Sequence, residues 1–267
     1  MLKVNNLHKI FNYGQINEKY ALKGSDLTVP KKDFITIIGS NGAGKSTVLN
    51  LIAGTHYPEA GTIMINDTDV TDRPVYKRAG LVGRVFQDPL KGTAAEMTIE
   101  ENLSMAVKRG KSRGLKPGLN HERRDYFREM LSLLELGLED RLETAVKLLS
   151  GGQRQALTLL MATMGDPEIL LLDEHTAALD PKTGDKIIDI TKNIVKDNEL
   201  TVLMVTHDMK QALEMGNRTI MMDQGKIVLD IKEQEREDTT VPQLLKKFNE
   251  KSGHELTDDR VLLSEAE

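Results

Sequence analysis

Gly39-Ser40-Asn41-Gly42-Ala43-Gly44-Lys45-Ser46-Thr47 is the stretch whose reading decides the fold. It matches the phosphate-loop pattern GxxxxGKS/T, and both flanks agree with it. Phe34-Ile35-Thr36-Ile37-Ile38 before it is an apolar, β-branched run of strand length. Thr47-Val48-Leu49-Asn50-Leu51-Ile52-Ala53 after it has helical character and is stopped by Gly54. Glycines let the backbone curl until successive N–H groups point inward at phosphate oxygens, and the following helix adds the positive end of its dipole. Lys45 can reach terminal phosphates, and the Ser46 hydroxyl is a hard oxygen donor suited to Mg²⁺. A random chain of this length would match the pattern roughly one time in a hundred. The strand before and the helix after lower that further.

The 267 residues suffice for one large α/β domain or two small ones. Hydrophobic residues at 39% and charged residues at 29% are the balance of an ordinary soluble chain. No apolar run approaches the roughly 18 residues of a membrane span, and Met1-Leu2-Lys3-Val4-Asn5-Asn6-Leu7 lacks the apolar core of a secretion signal. There is no cysteine, which excludes disulfides and thiolate-held metals. A net charge of −5 argues against nucleic acid as the main partner. The expected location is the cytosol.

Along the chain, short strands are expected at residues 2–7, 25–29, 34–38 and 62–65, with another apolar run at 81–86. From about residue 90 to 148 the character is helical. Residues 122–136 place Phe127, Met130, Leu131 and Leu134 on one helical face. A helix is expected at 153–164, a buried strand at 169–172, and a helix at 186–195 with Ile187, Ile190 and Ile194 inward. A second buried strand follows at 201–205, then a hairpin over 219–231 turning at Asp223-Gln224-Gly225. Strands alternating with helices imply a mostly parallel sheet. The expected organisation is a nucleotide-binding domain over residues 1–240, a helical insertion at about 90–165, and a charged helical tail at 241–267.

Ile169-Leu170-Leu171-Leu172-Asp173-Glu174 is an apolar strand ending in two carboxylates. Alone it would read as a strand running into a solvated acidic turn. After a phosphate loop, Asp173 is expected in the Mg²⁺ shell, and Glu174 is placed to orient and deprotonate attacking water.

Leu149-Ser150-Gly151-Gly152-Gln153 then narrows the family. By average usage this pentapeptide occurs by chance on the order of once in ten thousand chains this long, and it resembles the signature of ATP-binding cassette (ABC) ATPases. Val85-Phe86-Gln87-Asp88-Pro89 resembles the Q-loop of that family, Ala178-Leu179-Asp180 its D-loop, and Val205-Thr206-His207-Asp208 its switch-histidine region. The resemblance runs over residues 1 to 230. It implies an α/β fold of the P-loop NTPase, ABC type: a mostly parallel central sheet, an antiparallel β subdomain and an α-helical subdomain. It also implies the cofactors ATP and Mg²⁺, with Ser46, Gln87 and Asp173 around the metal and Glu174 and His207 as the catalytic pair. Ser150, Gly151, Gly152, Gln153 and Asp180 would contact ATP held by a second copy of the chain. Ser150 also suits a helix cap, so the two roles coexist. Leu7-His8-Lys9-Ile10-Phe11 resembles the family's start, which makes Phe11 the expected adenine platform, with Tyr13 and Tyr20 as alternatives. His8, His56, His121 and His254 carry no such context and read as solvated or core histidines.

Two departures stand out. His175 follows the catalytic glutamate where the family usually has proline, and Ala177 or Ala178 stands where it usually has a serine before the D-loop leucine. Lys108, Arg109, Lys111, Arg113, Lys116, Arg123 and Arg124 crowd a stretch opposed only by Glu122. That stretch reads as a solvated loop or as a basic patch toward anionic lipid headgroups.

The family resemblance implies the ATPase subunit of a transporter, peripheral on the inner face of the membrane through a separate permease and working with an extracytoplasmic solute-binding protein. Leu142-Glu143-Thr144-Ala145-Val146-Lys147 does not resemble the exporter-type element before the signature, which favours import. The tail, from Thr240-Val241-Pro242 to Val261-Leu262-Leu263, resembles ATPases of tryptophan/tyrosine-type uptake systems. The competing reading is a non-transport ABC ATPase acting on a soluble protein complex.

Overall fold

The computed structural model describes residues 1–111 and 118–252. In chain order its elements are β1 (Leu2–Phe11), β2 (Lys19–Val29), β3 (Phe34–Gly39), α1 (Lys45–Ala53), β4 (Ala60–Ile65), β5 (Thr68–Asp69), α2 (Val75–Arg78), β6 (Val82–Val85), α3 (Ile99–Val107), α4 (His121–Ser132) and α5 (Gly151–Thr163). Then come β7 (Ile169–Asp173), α6 (Pro181–Asp197), β8 (Val202–Val205), α7 (Met209–Glu214), β9 (Arg218–Asp223), β10 (Lys226–Lys232), α8 (Glu233–Glu237) and α9 (Val241–Ser252). These fall into two compact units. One is Met1–Arg78 with the chain from Leu200 onward; the other is Ala79–Glu199.

The first unit holds an antiparallel sheet ordered β2-β1-β4-β5. Its second sheet has β3 parallel to both β8 and β9, with β10 closing an antiparallel hairpin on β9. Residues 34–38 of β3 and all of β8 are buried, as parallel strands covered on both faces must be. Strands β1 and β2 reach further than expected, to Phe11 and back to Lys19. Their added residues mix polar with apolar side chains and lie across register shifts, which hides the alternation a sequence reading depends on. The hairpin turns where expected, between Asp223 and Lys226. Its underside is an apolar cluster of Ile38, Met209, Ala212, Met221, Ile231, Leu244 and Phe248, so the start of the tail is part of this core. Residues 253–267, including Val261-Leu262-Leu263 and His254, lie outside the described residues.

Helix α1 ends at Gly54 in the left-handed conformation (φ 81°), whose N–H returns to Asn50 and Leu51 carbonyls. The fully buried Arg78 completes that end. Its guanidinium donates to the carbonyls of Leu51 (2.6 Å) and Ile52 (3.0 Å), and also to those of Thr71 (2.8 Å) and Arg73 (2.7 Å). A cation at a helix C-terminus meets carbonyls that have no partner within the helix. Arg236 does the same for α7, donating to the carbonyls of Leu213 (2.6 Å) and Met215 (2.7 Å).

In the second unit β6 runs parallel to β7, and α3 starts in a capping box of Thr98 with Glu101. Helix α4 stops at Ser132, four residues short of the expected end, because Leu133 caps it and Glu135 turns left-handed (φ 52°). Phe127, Leu131 and Leu134 are buried as expected. Met130 and Ile194 are only half-buried and line an open depression with Tyr126 and Leu133, so the inward faces of α4 and α6 are narrower than their periodicity suggests. In the basic stretch, Arg124 pairs with Glu100 at 2.7 Å and Arg123 donates to the Gly118 carbonyl. Arg113 and Lys116 lie outside the described residues.

Candidate functional site

In the first unit, Gly39 ends β3 at φ 146°, where a β-carbon would meet the Met222 carbonyl oxygen at 2.0 Å. Only glycine lets the loop leave the strand so close to β9. The loop turns through an Ala43 N–H to Ser40 carbonyl bond of 3.1 Å and enters α1 with Gly44 as a cap that has no side chain. The amides at this helix start are therefore not claimed by a capping side chain. The hairpin braces the loop from behind. Gly225 N–H donates to the Ala43 carbonyl at 3.0 Å, and the Ser40 hydroxyl donates to Asp223 at 3.2 Å.

Lys45 is buried, and its ammonium donates to the Gly39 (2.6 Å) and Ser40 (3.1 Å) carbonyls. That folds it back over the loop its charge would serve. Asn41, Gly42 and Ser46 are exposed, and Thr47 is half-buried. Sequence reading missed a second cation here: a β-carbon at Gly42 would lie 3.1 Å from the Lys19 ammonium. Lys19 is the cross-strand partner of Phe11, so one register position ties the aromatic ring to the phosphate loop. Nothing in the sequence around Lys19 signals this.

Phe11 is half-buried and is not isolated. His56 meets its ring edge-on with centroids 5.3 Å apart, and the Lys9 ammonium stands 5.4 Å from its centroid. His56, read from sequence as ordinary, therefore helps fix the candidate adenine platform. Tyr13 and Tyr20 are exposed, at 76% and 51%. His207 follows β8 at the entry to α7. Thr206 bonds to Gln211 at 2.7 Å and Asp208 caps the helix through the Gln211 N–H at 2.9 Å, which pins the residues on either side of the histidine.

In the second unit, β7 delivers Asp173 and Glu174, and Glu174 sits in the left-handed region (φ 45°). A non-glycine residue held there costs strain, a recurrent feature of functional turns. The Gln87 amide donates to the Glu174 carboxylate at 3.3 Å, joining the Q-loop to the candidate base. Asp173 is met by Arg84 of β6 at 3.2 Å. The carbonyl of Phe86 is held by Gln155 of α5 at 3.4 Å, so the signature helix is anchored to the Q-loop.

His175 is buried and lies 3.2 Å from the Thr191 hydroxyl. That hydroxyl donates to the Ile187 carbonyl at 2.7 Å, so the histidine Nε2 carries the proton in their contact. Burial pushes the His175 pKa down to about 4. The histidine in place of proline is thus a neutral anchor of the Glu174 turn onto α6.

Ser150 caps α5 in a reciprocal box with Gln153: each backbone N–H donates to the other's side chain at 3.2 Å. Gly152 lies against α6, where a β-carbon would meet Thr183 Cγ2 at 2.3 Å. Ser150 and Gly151 are exposed. Asp180 caps α6 through the Thr183 N–H at 3.1 Å, and its hydrogen bonds with the Thr183 side chain and backbone hold its carboxyl below the ordinary range.

Within each unit the sequence-derived residues cluster. Phe11, residues 39–47 and His207 belong to the first; Gln87, Ser150–Gln153, Asp173, Glu174 and Asp180 belong to the second.

The sequence profile of the ABC transporter family matches residues 22–177. The chain is 45% identical to a tyrosine transport ATP-binding protein of Clostridioides difficile, over 93% of this chain and 98% of that one. It is 33% identical to a thiamine import ATP-binding protein of Chelativorans, over 77% and 78%. Among solved structures, a dimeric ATP-binding cassette in a post-hydrolysis state, bound to ADP and Pi, superposes with a TM-score of 0.74 at 33% identity, covering 87% of this chain and 98% of that one.

Proposed function

The chain belongs to the ABC transporter family and is one of its ATP-binding, ATP-hydrolysing cassettes, and from that premise we propose that it powers uptake of a small solute through a separate membrane permease. An aromatic amino acid is the favoured solute, on the strength of the similarity to the tyrosine transport protein. The system would include an extracytoplasmic solute-binding protein. Among the described residues no helix is long and apolar enough to cross a membrane, so membrane attachment is assigned to the permease.

Residues 39–47 receive the phosphates of ATP, with Lys45 leaving its two carbonyl partners for the terminal phosphates and Lys19 adding charge beside Gly42. Phe11 stacks on adenine. The donor set of Ser46 hydroxyl, Asp173 carboxylate and Gln87 amide oxygen is all hard oxygen, which fits Mg²⁺. The bound ion would neutralise charge on the β- and γ-phosphates. Glu174 takes the proton from the attacking water as its oxygen bonds the γ-phosphorus and the bond to the β-phosphate oxygen breaks. The Gln87–Glu174 bond restrains the base until that water is in place, and His207 contacts the γ-phosphate.

The observation that carries the two-copy reading is the exposed start of α5. Ser150 and Gly151 present a capped helix N-terminus to solvent in the unit that has no phosphate loop. The second anion site would then serve the nucleotide of another copy. Ser150→Arg tests this. Turnover is expected to vanish while isolated monomers bind a fluorescent ATP analogue with unchanged affinity. Loss of binding by the monomer would sink the in-trans role. Co-purification with a polytopic permease, against a soluble complex, tests the transport reading.

A further inference from the structure

Arg84 is a largely buried cation for which neither the family motifs nor the proposed chemistry has a use. It sits on β6 opposite Leu171 of β7, so side-chain alternation places Arg84 and Asp173 on the same face of the strand pair. Phe86, just beyond β6, stacks beneath its guanidinium, 4.5 Å from carbon to ring centroid. The side chains of Arg84 and Asp173 are 11% and 14% exposed. One contact joins them, Nη2 to Oδ2 at 3.2 Å, although an arginine and a carboxylate can form two parallel bonds. Nε and Nη1 are buried with no partner. A guanidinium retained this deep with two unsatisfied donor atoms is held for something other than stability.

We propose that Arg84 is the counter-ion and positioning residue of Asp173: it neutralises the carboxylate when no metal is bound and keeps it a weak cation site until ATP phosphates supply compensating charge. This rests on the reading of Asp173 as part of the Mg²⁺ shell. Arg84 holds the Oδ2 of Asp173 at 3.2 Å and repels any cation arriving without phosphate. Divalent metal then binds as part of a nucleotide complex. The single contact lets the carboxylate turn without breaking a bidentate pair. Phe86 holds the guanidinium plane in place during that change.

The test is Mn²⁺ binding, followed by electron paramagnetic resonance, to full-length protein both free of nucleotide, where the effect of Arg84 should be largest, and saturated with a non-hydrolysable ATP analogue. Arg84→Met should bind Mn²⁺ at least about fivefold tighter, as expected when one unit charge is removed a few ångströms from a cation's ligand. Arg84→Lys should stay near wild type. Arg84→Gln is neutral, keeps a donor and a planar group, and carries the same test should the methionine variant not fold. In an Asp173→Asn background the Arg84→Met effect should disappear, because the coupling runs through that carboxylate. Unchanged or weaker Mn²⁺ binding in both neutral variants overturns the inference, since a merely damaged site cannot tighten. If Asp173→Asn alone leaves Mn²⁺ affinity intact, the metal reading of Asp173 itself falls, whatever Arg84 does.

Discussion

Arg78 and Arg236 in the unit that carries the phosphate loop, and Arg84 in the unit that carries Glu174, are the same side chain held in opposite ways. The first two donate to carbonyls at the ends of α1 and α7 and leave no buried donor without a partner. Arg84 makes one bond and leaves two donor atoms unsatisfied. Burial lowers the pKa of all three. Desolvation is therefore common to them, and satisfaction is what differs. Where every donor meets a carbonyl, the cation is part of the scaffold. Where donors are left over beside a strained Glu174, the polar groups are kept for chemistry. Changes at Arg78 or Arg236 should then cost stability, and changes at the Arg84–Glu174 corner should cost turnover.

The largest expected effect is in the second unit. Glu174→Gln should lower ATP turnover by about a hundred- to ten-thousandfold, the usual worth of a general base, while the chemical-denaturation midpoint moves by less than about 1 kcal/mol equivalent. Dimers should accumulate with ATP. Normal hydrolysis would remove the base assignment, and a large stability loss would break the contrast between the units.

Arg78→Met comes next. It strips donors from four carbonyls at and near the end of α1 and should destabilise by about 3–5 kcal/mol, measured by urea unfolding. Any activity loss at low temperature should follow the folded fraction. A fully stable variant with lost turnover would show that Arg78 belongs to the chemistry after all.

The smallest effect sharpens the comparison from inside the second unit. His175 is satisfied, unlike its neighbours, so it should behave as scaffold. Its folded pKa of about 4 lies below the ordinary histidine value of about 6.5, so on acidification the unfolded chain takes up the proton first. Its contribution is complete above about pH 6.5 and is lost as pH falls toward 4, by roughly 2 kcal/mol between pH 7 and 5. His175→Gln should flatten that part of the stability–pH curve in denaturant titrations at the two pH values. An unchanged slope would mean that His175 is not buried neutral.

What could be read from residues alone is what local backbone geometry dictates. Residues 39–47 need glycine at positive φ, Ser150 and Gln153 form a reciprocal box three residues apart, and the apolar run before Asp173 is a covered parallel strand. Each is written within a few neighbouring positions, so spacing and residue type suffice. Helix ends and half-exposed faces were less legible: α4 stops early at Ser132, and Met130 and Ile194 are only half-covered, because packing rather than periodicity decides which part of an apolar stripe is buried.

Tertiary structure alone decided the pairings between distant positions. Arg84 finds Asp173 across 89 residues, Arg78 finds Leu51 across 27, and His175 finds Thr191 across 16. Lys19 reaches Gly42, and His56 reaches Phe11, only because the β1–β2 register and the chain after α1 bring them there. A cation or a histidine carries no mark of its partner in its own neighbourhood. The physical reason is that burial and hydrogen-bond satisfaction are properties of the folded surroundings, whereas a phosphate loop is a property of its own backbone.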